Sequence, residues 1–119
     1  MRGFSDTAKF AFLRDLEVHL VCLGQYQTQI HFHPQGSISM EGRYVHAIPS
    51  EDRQIIQDRS SCGHNELFRL LGQRVTDAVV ISADSLRLTF SNDDTLTLID
   101  DTDQYESFNI TFNQVELVV

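Results

Sequence analysis

The strongest constraint in this chain is an alternation of apolar and polar residues that is written twice. Ile30 and Phe32 precede the turn Pro34-Gln35-Gly36, and Ile38 and Met40 follow it. Leu88 and Phe90 precede Asn92-Asp93-Asp94, and Leu96 and Leu98 follow it. An apolar residue at every second position fits a backbone whose successive side chains point to opposite faces, so each run reads as a strand with one buried side. Two such runs joined by Pro, Gly, Asn or Asp read as an antiparallel hairpin.

The alternation belongs to a longer correspondence. A shift of 58 residues lays positions 10–41 on 68–99 without a gap, placing Phe10 on Phe68, Leu13 on Leu71, Val21 on Val79 and Phe32 on Phe90. Only those four of the 32 positions are identical, yet the hydrophobic pattern and the turn agree throughout, which points to an internal repeat. Each unit opens with a helix-like segment. Residues 5–14 bring Phe10 and Leu13 onto one face, with Ser5 or Thr7 as cap. The segment from Asn65 brings Leu67, Leu70 and Leu71 together, with Gly72 as its stop. Strands are predicted over 16–23, 26–33, 37–41 and 43–48, and again over 75–81, 85–91, 95–99, 108–112 and 115–119. The expected class is therefore α+β. It is one domain, 1–119, of two helix-plus-antiparallel-strand units at 5–48 and 64–119, with helices covering one face of the meanders. The polar stretch 49–63 reads as a connecting loop.

With 119 residues, 41% hydrophobic and 22% charged, the chain can build one core. Its apolar runs are strand-sized, and Met1-Arg2-Gly3-Phe4-Ser5-Asp6 has no signal-peptide pattern, so a cytoplasmic location is expected. Cys22 in an apolar run and Cys62 in the polar stretch are expected to be free thiols. Charge is sharply segregated. Residues 1–75 hold eight acids and eight bases, whereas residues 76–119 hold nine acids and only Arg87, so the whole net charge of −8 lies in the second part. That field disfavours nucleic acid and anionic membrane and attracts a basic protein or a cation.

Chemistry-bearing residues are sparse. His31 and His33, with Cys62 and His64, are the right types for zinc. However, Ile30 and Phe32 claim the core face of their strand, so the two histidines point outward, and the spacing matches no zinc-finger pattern. They are weak metal candidates, and no cofactor is expected. Cys62-Gly63-His64 offers a thiol and an imidazole without the separate base and oxyanion hole that a nucleophile needs. Ser60 and Ser61 lack the Gly-x-Ser-x-Gly setting. No catalytic residue is assigned and no enzyme is expected. Around Asp101 the calcium-loop register fails, because Glu106 falls where that loop needs glycine. Asp93, Asp94, Asp100, Asp101, Asp103 and Glu106 read instead as an acidic surface for a basic protein partner. Tyr26, Tyr44 and Tyr105 with Phe108 read as closing the ends of the core. The apolar stretch 115–119 could pair with a second chain, giving a homodimer.

The run Leu86-Arg-Leu-Thr-Phe90, Leu96-Thr-Leu-Ile-Asp100 and Tyr105-Glu-Ser-Phe-Asn-Ile110, with Val21-Cys-Leu-Gly-Gln-Tyr26, Ile30-His-Phe32 and Ile38-Ser-Met-Glu41, resembles a group of small bacterial proteins of unknown function. Those proteins carry a strand–turn–strand pattern that ends in Tyr-Glu-Ser-aromatic. The likeness spans roughly residues 13–110 and implies the fold and a bacterial origin; it assigns no activity. The expected function is non-enzymatic protein binding through the acidic surface, in its sharpest form a toxin-neutralising immunity-type protein. The alternative is a small-molecule or metal site at the junction of the two repeats.

Overall fold

The computed structural model describes residues 7–23, 28–40, 43–57, 65–82, 84–99, 108–112 and 115–118. The elements in chain order are the 3-10 turn η1 (Thr7–Leu13), β1 (Glu17–Leu23), β2 (Thr28–His33), β3 (Ser37–Met40), β4 (Arg43–Ile48), the 3-10 turn η2 (Pro49–Glu51) and β5 (Arg53–Gln57). They continue with the 3-10 turn η3 (Asn65–Leu70), β6 (Val75–Ser82), β7 (Ser85–Phe90), β8 (Thr95–Ile99), β9 (Phe108–Phe112) and β10 (Val115–Val118). Two antiparallel sheets result, ordered β1-β2-β3-β9-β10 and β5-β4-β8-β7-β6. Ile30, Ile38 and Ile110 of the first sheet share one buried cluster with Leu86, Leu88 and Leu96 of the second, so the sheets cover each other's apolar sides.

The α+β expectation is thereby corrected: the chain is mostly β. Among the described residues its helical pieces are 3-10 turns of three to seven residues, too short to sustain an α-helix without outside support. The spacing that suggested α-helix was i to i+3, Phe10 to Leu13 and Leu67 to Leu70, and in a 3-10 turn those positions eclipse on one side. All four are buried. Residues 49–57 are not loop either, since η2 and β5 occupy them and β5 pairs along β4 from Ile48↔Arg53 to Tyr44↔Gln57. The Ser5 cap and residues 58–63 lie outside the described residues.

Each half of the chain runs through a 3-10 turn, a three-stranded meander and a hairpin, and each hairpin completes the other half's sheet. β4 pairs with β8, and β9 pairs with β3. The meanders also meet edge to edge. Asp15 N donates to Val75 O at 2.8 Å and Gly72 N to Val18 O at 2.8 Å, while Val75 N donates to Leu16 O and Val18 N to Gln73 O at 2.9 Å. Asp15 and Gly72 end their turns in the left-handed region, at φ 71° and 81°.

The buried pairs show that the gapless offset of 58 is one residue out over the early part of each half. Phe10 matches Leu67, Leu13 matches Leu70, Val18 matches Val75 and Val21 matches Ala78, all buried and all 57 apart. From β2 onward the spacing is 58, with Ile30 against Leu88 and Ile38 against Leu96. The extra residue is absorbed in β6, which has a second bulge between Val80 and Ser82 that β1 lacks. Phe68 and Leu71, expected inside, are instead 44% and 41% exposed.

Gly72 generates a direct test. A Cβ added there meets nothing within 4 Å, so Gly72→Ala carries only the left-handed backbone penalty, about 1 kcal/mol. Urea unfolding should show that loss for Gly72→Ala, and no loss for Asp15→Gly at the equivalent φ.

Candidate functional site

Among the described residues, the densest polar constellation lies where the exchanged β4–β5 hairpin meets the second meander. β4 alternates, so Tyr44, His46 and Ile48 face inward. The β7–β8 turn ends at Asp94, whose carbonyl accepts from Phe90 N at 2.9 Å; in the first half Gly36 O accepts from Phe32 N at 2.8 Å. Where the first half has no side chain, Asp94 therefore projects a carboxylate into the interior. Asn92 shapes the turn, its Oδ1 accepting from Asp94 N at 3.1 Å.

That carboxylate and His46 are both completely buried. His46 Nε2 lies 2.9 Å from Asp94 Oδ2, with the ring nitrogen donating to the ionised acid. Arg69 of η3 grips both oxygens, Nε to Oδ2 at 3.1 Å and Nη2 to Oδ1 at 3.3 Å. Its Nη1 donates to Glu51 Oε2 at 2.9 Å and its Nη2 reaches Ser50 Oγ at 3.4 Å. Arg53 of β5 extends the chain of charges, donating to Glu51 Oε1 at 2.8 Å and Glu66 Oε2 at 2.7 Å. Burial alone would push the Asp94 carboxyl up, but the hydrogen bonds from Arg69 and His46 outweigh it and hold it below the usual carboxylate range. The Arg69 guanidinium is pushed up, chiefly by its hydrogen bond to Asp94. Near this network Tyr44 is raised to about 12, because burial disfavours its phenolate more than a hydrogen bond with Thr28 favours it. A carboxylate sealed from solvent and occupied by an arginine and a histidine ties elements together; it has no face open to a substrate.

The structure separates Asp93 and Asp94, which the sequence grouped in one acidic surface. Asp94 is inside and is corrected: a buried, ion-paired carboxylate cannot meet a partner protein. Asp93 is exposed at the same turn, with φ 72°. Asp100, Asp101, Asp103 and Glu106 lie outside the described residues. Of the metal candidates, His31 and His33 lie on the outer side of β2, opposite buried Ile30 and Phe32, while Cys62 and His64 are outside the described residues. His31 Nε2 is 3.0 Å from Gln29 Oε1. Among the described residues no group of three His, Cys, Asp or Glu side chains could hold a metal ion. The repeats join through continuous main-chain ladders and a shared core. Tyr44 is buried as expected; the Tyr26, Tyr105 and Phe108 side chains are not among those described. No described helix is long and apolar enough to cross a membrane.

Comparison of the chain with protein-family models, curated proteins and solved structures finds no match. The functional reading therefore rests on the chain's own charge and geometry.

Sequence reasoning missed the network because its signal, a turn aspartate and a strand histidine 48 apart, is ordinary at each position alone. Asp94→Asn keeps the shape but leaves the Arg69 charge without its carboxylate, and should cost roughly 3 kcal/mol in chemical denaturation. The exposed Arg14–Asp77 pair, at 2.8 Å, should cost under about 0.5 kcal/mol when Arg14→Gln breaks it. The pH dependence has a definite sign. Because the folded Asp94 carboxyl is depressed, its contribution is complete above the ordinary aspartate value near 3.9 and falls away as pH drops through the folded value. Thermal unfolding between pH 5 and 2 should show a steeper acid loss in the wild type than in Asp94→Asn.

Proposed function

We propose that this chain is a non-catalytic, cytoplasmic protein-binding domain that presents the acidic crossover 100–107 to a basic protein. The carrying observation is charge placement: the net −8 lies wholly in residues 76–119, and four of its acids with no base fall in the eight residues that join β8 of one sheet to β9 of the other. Several acids elsewhere are paired within the chain. Asp77 pairs with Arg14, Glu51 and Glu66 pair with Arg53, and Asp94 pairs with Arg69. Of the predicted surface, Asp94 is taken up by internal partners, whereas Asp93 is exposed. A cluster of carboxylates matches a surface built for phosphates, so the sharpest version of the reading is a toxin-neutralising protein that occupies the basic cleft of a nuclease. Charge steering would speed capture and make it salt-dependent.

The test compares immobilised wild type with a variant carrying Asp100→Asn, Asp101→Asn, Asp103→Asn and Glu106→Gln. The expected result is a basic protein that the wild type retains at low salt, releases at high salt and inhibits in its own assay, and that the variant neither retains nor inhibits. Equal retention by both proteins, or no salt-released partner at all, would overturn the reading.

A further inference from the structure

The outer face of the first sheet carries a feature that the acidic crossover does not explain. β1 follows the burial pattern exposed, buried, exposed, exposed, buried over Glu17, Val18, His19, Leu20 and Val21. The break in alternation is a bulge: Val18 pairs with Phe32 and Leu20 with His31, so His19 is the extra residue. A bulge turns a side chain out of the regular pleat and re-aims it. Here it brings the His19 ring against His33 on β2, with centroids 6.4 Å apart and planes perpendicular. Both side chains are exposed, and Glu17 sits directly opposite His33 in the register. Leu20, beside His19, is 45% exposed.

We propose that His19 and His33 form a two-imidazole site for a borderline divalent metal ion, nickel, copper or zinc, on the outer face of the first sheet. Two imidazoles sharing one ion at about 2.0–2.1 Å per metal–nitrogen bond hold their ring centroids roughly 4.5–5 Å apart at right-angle or tetrahedral positions. The observed 6.4 Å is wider than that, and both side chains are exposed, so binding draws the rings together by side-chain rotation. Imidazole donors select this class of ion over magnesium or calcium, which prefer oxygen. No third His, Cys, Asp or Glu among the described residues completes the set, so the remaining positions are left to water, which makes the site an open one. His31 is not a ligand here; Gln29 engages its ring. The sequence pattern His-x-His pointed to a pair along one strand, whereas the fold builds the pair across two strands, through a bulge that the sequence does not announce.

Calorimetric titration of untagged protein with nickel chloride tests the site. The expected result is one saturable equivalent in the wild type, weakened about tenfold or more in His19→Gln and in His33→Gln, and unchanged in His31→Gln. All three variants should keep the wild-type unfolding midpoint within error, because their side chains lie on the outer face. The absence of saturable binding by the wild type would overturn the proposal. So would binding that survives in the His19→Gln, His33→Gln double variant, including binding lost only when Cys62 and His64 are changed, and so would equal loss in His31→Gln. None of these outcomes depends on whether the acidic crossover binds a protein.

Discussion

One fully buried carboxylate holds an unusual position in this fold. Removing an ionised aspartate from water costs several kcal/mol unless charge and hydrogen bonds replace the solvent. At Asp94 the replacement comes from two other elements, Arg69 on η3 and His46 on β4. β4 belongs to the first half of the chain and the other two groups to the second. The ionised acid is therefore tolerable only when the exchanged hairpin is in place, and the network makes correct assembly of the halves a condition for solvating that charge. Glu51 and Arg53 carry the same condition outward to η2 and β5.

The rest of the architecture spreads that dependence over the backbone. Each sheet takes three strands from one half and two from the other, so neither half closes a five-stranded sheet alone. The meanders are further joined by the four main-chain bonds between 15–18 and 72–75, which have the same pattern from either side. The apolar stripes of both sheets then have only each other to cover them, and they merge into one core. What departs from the common plan is local: a carboxylate at Asp94 where the first half has Gly36, a second bulge in β6, and a bulged His19 in β1. Each of these places a side chain where the regular pattern would not.

Strand positions were legible because alternation is a property of neighbouring residues; Ile30, Phe32, Leu88, Phe90, Leu96 and Leu98 are all buried as their period of two requires. The same locality misled at the turns, where an i to i+3 pair serves a 3-10 turn as well as an α-helix, and at β5, whose polar ends concealed a strand with Ile56 66% exposed. Charge segregation was also readable, since it is a count along the chain, and it still carries the functional proposal.

Composition and periodicity thus determined, without any structure, that this chain makes antiparallel hairpins with a buried apolar stripe and gathers its net charge near one end. They could not decide which strands pair across the halves, because a hydrophobic stripe is satisfied by any apolar surface of matching shape. Nor could they separate Asp94 from Asp93, adjacent residues of one type whose fates diverge: one is buried against Arg69 and His46, the other exposed. That choice depends on which side chains lie across the core, a relation between residues 25 and 48 positions apart, and only the tertiary structure contains it.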